Sequence, residues 1–531
     1  MPASAPPTTA VLIVGSGPTG LTLACDLARR SIDVRIIDKS PEFPRSSRAK
    51  GPNLRSLEVL EDLGVVDRIL AAGSAPLPMR KYRNGLPIAD SDPFAASHPT
   101  PDAPYDRPRL IAQWRLEEIL RERLAEYGVR VELGSEATAL TAKPDSVTVA
   151  LADGRSIEAR YVVGCDGAHS AVRKLLGIRF EGKTTEEQAM VCGDVEVEGL
   201  DRGHWHQWFD EDGAVMLCPI PGTRSGWWFQ AGPERDREGA PVPPSLESFR
   251  RLFAKHTGLP AAHLTQATLL STYRVNERMA DHYRVDRVLL AGDAAHVHSV
   301  AGGLGMNTGI QDAFNLGWKL ARVVDGQADP GLLDTYEEER LPVASWTLDI
   351  TSERLRVTLD AIRKPGGGLD AAATAETMGL GLGYRWSSLS PAGSTTRLRA
   401  GDRAPDAPCR DTATGAPKRL FEAFAGPHFT LLGFGPGTAD ALRAAEAAYA
   451  GTVRTYGVDA GARHGLTDEA AHARTAYGIE KGTDTLVLVR PDNHVALIAP
   501  AADGRTVLNY LSHLDHMDHP DHPAGTAFRR L

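Results

Sequence analysis

Gly15-Ser16-Gly17-Pro18-Thr19-Gly20, followed eighteen positions after Gly20 by Asp38, is a set of residues able to hold a dinucleotide. Gly15 permits a sharp turn, Gly17 removes a side chain that would block a pyrophosphate, and Gly20 lets a helix pack closely on the strand before it. The first N–H groups of that helix lack partners, and together with the helix dipole they favour an anion. Asp38 can accept hydrogen bonds from both hydroxyls of an adenosine ribose and would repel a 2′-phosphate, so the ligand is FAD or NAD. Pro18 and Thr19 inside the turn, and Lys39 behind Asp38, complete this first candidate set.

Further along, Cys165-Asp166-Gly167 with Arg173 closes a second apolar run, and Gly292-Asp293 opens a third glycine-rich stretch that continues as GGLGMNTGIQDA from Gly302. The turn at 302–307 leads into a helix whose first N–H groups can stabilise negative charge on a ligand. His296 and His298 are candidate acid–base groups, although closely spaced histidines beside a ligand more often pack or hydrogen-bond. Trp205, Trp227, Trp228 and Phe229 alternate with apolar neighbours and could stack on a flat substrate or fill a core; Trp205 and Trp228 are taken as the substrate candidates. The chain shows no nucleophile triad and no metal-ligand spacing, which suits chemistry carried by a cofactor.

The elements that must position these residues follow from the pattern. The apolar run 11–14, the helix-length run 21–27 and the β-branched run 34–37 make a strand, helix and strand around the first glycine turn. The loop 39–51 is basic and rich in serine and proline, and Leu54, Leu57, Leu60 and Leu63 repeat at helical spacing up to Gly64. Residues 76–108 form a long excursion with a hairpin at Asn84-Gly85. A short strand at Leu110 leads to a helix from Gln113, and strands are predicted at 129–133, 147–151 and 156–159, with a two-residue hairpin at Asp153-Gly154. A buried strand at 160–164 ends in a turn, and a helix begins near Ser170. Strands at 190–197, 205–209, 214–219 and 226–231 and a helix at 245–253 then interrupt the βα pattern, as a mostly antiparallel layer that would hold substrate. Helices are predicted up to Val324 and over 333–363, followed by a Gly/Ala/Ser-rich linker and a small α/β region with strands at 429–432, 452–456, 485–489 and 495–498 and a turn at Asp492-Asn493.

A chain of 531 residues needs two or three domains. Its net charge of −9, without a basic face, argues against a nucleic-acid partner. The five cysteines are dispersed, without CxxC spacing, and read as reduced thiols in a cytoplasm. No signal peptide and no membrane span is predicted.

The three glycine/aspartate signatures, in this combination and order, resemble the single-component FAD-dependent aromatic hydroxylases of the para-hydroxybenzoate hydroxylase type, and among them the bacterial hydroxylases of aromatic polyketides. The resemblance implies an α/β fold: a Rossmann-like, glutathione-reductase-type FAD-binding domain (1–179 and 285–364), an inserted antiparallel-sheet substrate-binding domain (180–284), a linker (365–400) and a redox-silent thioredoxin-like C-terminal domain (401–531), which Arg490-Pro491-Asp492-Asn493-His494 matches. It places Asp38 on the adenosine ribose and Gly15, Gly17 and Gly20 on the pyrophosphate. Arg48 would lie beside pyrophosphate and flavin, Gln113 and Asp293 at the ribityl chain, and Asp166 and Gly167 in FAD and NAD(P)H binding. Gly292 belongs with Asp293, and Gly303, Gly305, Met306 and Asn307 with the turn against the isoalloxazine ring. The implied reaction uses O2 and NADPH or NADH, a transient visitor, to hydroxylate a polycyclic aromatic through a flavin C4a-hydroperoxide; epoxidation, Baeyer–Villiger oxidation and oxidative inactivation of an antibiotic are alternatives on the same fold. A halogenase would need a WxWxIP segment that is absent, and a non-enzymatic FAD-fold binder is the other class. No residue is assigned catalysis outright; Arg48, His296 and His298 are the candidates. The expected state is a cytoplasmic monomer or homodimer. One departure stands out: Ser299-Val300 occupies the place where the family has one or two prolines.

Overall fold

The computed structural model describes residues 8–47, 49–211, 213–364, 366–391, 397–460, 462 and 464–517. Two compact units emerge, one of residues 1–28, 33–314 and 341–382, the other of 29–32, 315–340 and 383–531.

The first unit contains two sheets. In one, five strands run parallel in the order Val288–Leu290, Ser156–Gly164, Thr8–Val14, Val34–Ile37 and Val131–Glu132. Val11, Leu12 and Ile13 are fully buried, as continuous apolar strands covered on both faces must be. The helix Pro18–Ala28 starts with proline at its first position, where a missing N–H costs nothing, and Gly17 C=O accepts its first bond, from Leu21 N–H. It packs on the helix Gln113–Glu126, where Cys25 Sγ donates to Leu120 C=O. The helix Leu54–Asp62 begins where its apolar spacing predicts, with Asn53 accepting from Ser56 N–H as its cap.

The second sheet has nine strands, built around the 18-residue strand Phe180–Val197. Its partners include Gly226–Ala231, Gly213–Pro219 and Trp205–Asp210 in antiparallel succession. The 76–108 excursion supplies the hairpin Met79–Arg83 and Leu86–Ser91, turned by Asn84 and Gly85 at positive φ, and this hairpin joins the same sheet beside Trp205–Asp210. Alternation sorts the aromatics: Trp227 and Phe229 are fully buried against the helix Leu246–Thr257, while Trp228 faces the other way with Cys218 and Ile220.

Local predictions erred where tertiary pairing took over. The strands expected at 156–159 and 160–164 are one nine-residue strand, because it pairs with a hairpin partner along one half and with the parallel sheet along the other. The Asp153-Gly154 turn is a four-residue connection closed by Leu151 and Arg155, with only Gly154 at positive φ. The strand at 129–133 shrinks to Val131–Glu132, and at Leu110 only an isolated bridge to Ser74 forms.

The second unit is built on a seven-stranded sheet. Phe429–Phe434 lies between the parallel Val453–Val458 and the antiparallel Thr485–Val489, which pairs in turn with Val495–Pro500. This is the thioredoxin-like arrangement, and the last hairpin turns at Asn493, whose φ is +59°. Cys409 is buried beside that sheet's core, and burial raises its thiol pKa to about 12.

Candidate active site

Register brings the distant signatures together. Val14 pairs with Ile37 on one side and Gly164 on the other, and Gly164 pairs with Leu290. Gly15, Asp38, Cys165-Asp166 and Ala291-Gly292-Asp293 therefore leave the carboxyl edge of one parallel sheet side by side, where open α/β sheets bind ligands.

The glycines divide into two kinds. A Cβ on Gly15 (φ +105°) would sit 2.4 Å from Cys165 C=O, and one on Gly20 would sit 2.1 Å from Gly15 C=O, so both are required by the protein's own packing. At Gly17, Gly167 and Gly303 a Cβ would meet nothing within 4 Å: these backbones border open space. Thr19 is wedged against Gly292 and Gly309, where added Cβ atoms would lie 2.5 and 2.3 Å from its Oγ1. This joins the first signature to the third.

The Asp38 carboxylate accepts from Ser16 N–H and Oγ–H (2.8 Å each) and from Ser40 N–H, and these bonds hold its pKa below the usual range despite burial. Lys39 beside it is exposed. Asp166 is occupied by its own helix: it accepts from Ser170 Oγ, Ala171 N–H and Val172 N–H at the start of Ala171–Leu175. Arg173 donates to Ala168 C=O and Ala294 C=O, bridging the second and third signatures. Asp293 is exposed between buried Gly292 and Ala294. Arg48 lies outside the described residues.

Gln113 is bonded within the protein, accepting from Ala49 N–H through Oε1 and donating from Nε2 to Glu117. Burial raises the Glu117 carboxyl pKa to about 7 against that bond and Arg121. A carboxyl protonated more readily in the fold than in the unfolded chain costs stability as pH climbs from about 4.5 to about 7. Glu117→Gln should therefore leave thermal stability nearly unchanged at pH 4.5 and raise it at pH 8, by at most about 3 kcal/mol at about 1.4 kcal/mol per unit. Equal melting shifts at the two pH values would contradict this.

One residue to which sequence reasoning gave no role organises the third signature. Asp312, fully buried, accepts from Gly292 N–H and lies 2.6 Å from His296 Nε2. His296, also fully buried, is thus a pin beneath the turn. His298 stacks at 4.9 Å on His296, neither of its ring nitrogens has a partner among the described residues, and burial keeps it neutral. Asn307 accepts from Asn53 N–H and donates to Gly303 C=O, bracing the 302–307 turn. Gly305 and Met306 begin the helix Gly305–Val324. At the departure from the family pattern, buried Ser299 donates to Thr351 C=O and Gly303 N–H reaches back to Val300 C=O, so hydrogen bonds hold the course that proline would restrict.

On the nine-stranded sheet, Trp205 and Trp228 both approach Lys50, whose Nζ lies 5.5 and 5.8 Å from their ring centres. Sequence reasoning passed over Lys50, for a lone lysine on a basic loop gives no signal. Residues 366–372 strap the same sheet: Lys81 donates to Gly366 C=O and pairs with Asp370, and Gln207 accepts from Leu369 N–H.

Residues 8–351 match the FAD binding domain family, and residues 397–514 match the aromatic-ring hydroxylase C-terminal family. The chain belongs to the FAD-dependent aromatic-ring hydroxylases. It is 38% identical over 514 residues to a flavin-dependent monooxygenase of Mycobacteroides abscessus, covering 94% of this chain and 99% of that protein. A rifampicin monooxygenase of Streptomyces venezuelae is 37% identical over 360 residues, 65% of this chain and 71% of that protein. The structure of aklavinone-11 hydroxylase in a ternary complex with FAD and aklavinone superposes with a TM-score of 0.80 at 27% identity, covering 96% of this chain and 99% of that one. As a member of this monooxygenase family the chain is an oxidoreductase. The open backbone at Gly17, Gly167 and Gly303, with two helix N-termini at the same sheet edge, fits FAD.

Among the described residues no helix is long and apolar enough to cross a membrane.

Proposed function

We propose that this chain is an NAD(P)H- and oxygen-dependent FAD monooxygenase that hydroxylates a polycyclic aromatic of polyketide type. The common register of Val14, Ile37, Gly164 and Leu290 carries the reading, because it delivers every glycine/aspartate signature to one edge.

Gly15, Gly17, Pro18, Thr19 and Gly20 would hold the pyrophosphate, Asp38 and Lys39 the adenosine ribose, and Arg48 the region beside the pyrophosphate. Gln113 and Asp293, with Gly292, would line the ribityl chain, Asp166 and Gly167 would serve FAD and NAD(P)H binding, and Gly303, Gly305, Met306 and Asn307 would face the flavin ring. FAD, when bound and reduced, activates oxygen for transfer to the substrate ring.

The protein's part is positional and electrostatic. The N–H groups opening Gly305–Val324 favour negative charge beside them, and the bonds of Asn307 fix the turn that presents them. Buried, neutral His298 contributes no competing charge.

The purified protein should be yellow with stoichiometric FAD, and a screen of polycyclic aromatics should reveal compounds that stimulate NADPH oxidation. With 18O2, the product should gain one labelled oxygen. A ring-expanded, epoxidised or antibiotic-derived product would move the chain to another oxidation on the same fold. A colourless protein, or an FAD-loaded one that no aromatic stimulates, would sink the reading.

A further inference from the structure

We propose that Lys50 is the substrate-recognition residue of this site, its ammonium binding an ionised ring hydroxyl of a flat aromatic held against Trp205 and Trp228. The inference rests on the hydroxylase reading and specifies what that site selects.

The loop carrying Lys50 is built to hold it still. Ser47 N–H donates to Asp194, Ser47 Oγ accepts from Gln113 N–H, Ala49 N–H donates to Gln113 Oε1, and Lys50 C=O accepts from Ile111 N–H. Gly51, at φ +143°, passes so close to Arg109 that a Cβ would lie 1.9 Å from its carbonyl oxygen. A tether of this kind fixes the backbone from which the lysine projects.

The surroundings of the ammonium are short of negative charge. Among the described residues its hydrogen bond is to the neutral Gln230 Oε1, at 3.1 Å, and no carboxylate lies within ion-pair distance. Cys192, Cys218 and Asp194 act on it only through space, and burial lowers its pKa below the usual lysine range. Two indole faces lie at cation–π distance, about 6 Å, which supports a cation but leaves its other N–H donors unspent.

Two neighbours are donors in the same predicament, and a third is an acceptor without a donor. The indole Nε1 atoms of Trp205 and Trp228 are buried without acceptors, as is Oδ1 of Asp194 without a donor. Asp194 is 4% exposed, and burial raises its carboxyl to about 6. Buried donors of this number and sign match a ligand that brings oxygen acceptors and negative charge. The tryptophans add the requirement of a planar ring. An ionised ring hydroxyl satisfies both demands, its proton passing to solvent on binding.

Alizarin, a polycyclic phenol whose colour reports ionisation, tests this on the FAD-loaded protein. Wild type should lower the apparent pKa of the bound hydroxyl by about one unit or more. Lys50→Met should abolish that shift and weaken binding roughly 10- to 100-fold, the range for a lost charged hydrogen bond, while retaining FAD. Lys50→Arg should keep the shift. Should Lys50→Met fail to hold FAD, Lys50→Gln, which keeps a polar chain without charge, takes its place with the same expectation. Failure of alizarin to bind, an unshifted hydroxyl in wild type, or an equal shift in the neutral variants overturns the assignment. If polycyclic phenols stimulate NADPH oxidation in Lys50→Met with the wild-type kcat/KM, the assignment falls while the hydroxylase reading stands. Loss of FAD or of all stimulated turnover in wild type strikes the hydroxylase reading itself.

Discussion

Gly15→Val and Gly17→Val should fail in opposite ways. At Gly15 the backbone adopts φ +105°, a region that L side chains rarely enter, and the first added carbon would lie 2.4 Å from Cys165 C=O. Strain in such regions costs on the order of 1–3 kcal/mol, and a backbone overlap that cannot relax adds to it. Gly15→Val should therefore melt well below wild type even when stripped of flavin, with little soluble protein recovered. Gly17 has nothing within 4 Å of its Cβ position, so Gly17→Val should fold with the stability of the flavin-free wild type. It should nevertheless purify nearly colourless, because the new side chain would fill the space proposed for the pyrophosphate. Thermal denaturation of the flavin-free proteins, set beside their FAD content, checks both. A Gly17→Val protein that keeps FAD at wild-type affinity would remove the pyrophosphate from that turn.

The second large effect lies in the unit built on the seven-stranded sheet. Arg490 donates twice to Glu339, at 2.6 and 2.9 Å, and also to Asp492, while Lys319, Asn315 and Ser387 add further donors to Glu339. Trp318 Nε1 donates to Asp492. Arg490, Glu339 and Lys319 are fully buried and Asp492 very nearly so. Arg490→Met would remove a buried charge partner shared by two buried carboxylates, which costs about 3–5 kcal/mol. Removing Glu339 as well, in Arg490→Met/Glu339→Leu, should restore part of that loss, because paired charges couple non-additively. The sign in acid follows from the same pairing. Glu339 and Asp492 are held below the usual carboxylate range by Arg490, so their contribution is present above about pH 4 and is lost only as pH falls through their lower folded values. Arg490→Met should accordingly unfold at a higher pH than wild type in an acid titration followed by circular dichroism. Equal acid midpoints would show that this network does not carry the unit.

Much of the site was legible from local pattern. The strand, glycine turn and helix at 8–28, the acidic end of the next strand, and the 302–307 turn before a long helix all depend on neighbours within one supersecondary unit. Steric freedom at glycine, helix-end electrostatics and apolar periodicity act over that range, and so residue order alone suffices for them. For the same reason Asp38, Gly17 and Gly303 were singled out, while Asp166, read as a ligand residue from its motif, caps the helix Ala171–Leu175, and Arg173 bonds the carbonyls of Ala168 and Ala294.

What the amino-acid sequence determined by itself was the βαβ cofactor-binding pattern, the antiparallel layer inserted into it, and the small α/β texture of the last strands. Only the tertiary structure set Lys50 beside Trp205 and Trp228, placed Asp312 under Gly292 and His296, and joined Glu339 to Arg490 across 151 positions. Each of these pairs depends on strand register and helix crossings, and a shift of one residue in register would turn the side chains to the opposite face.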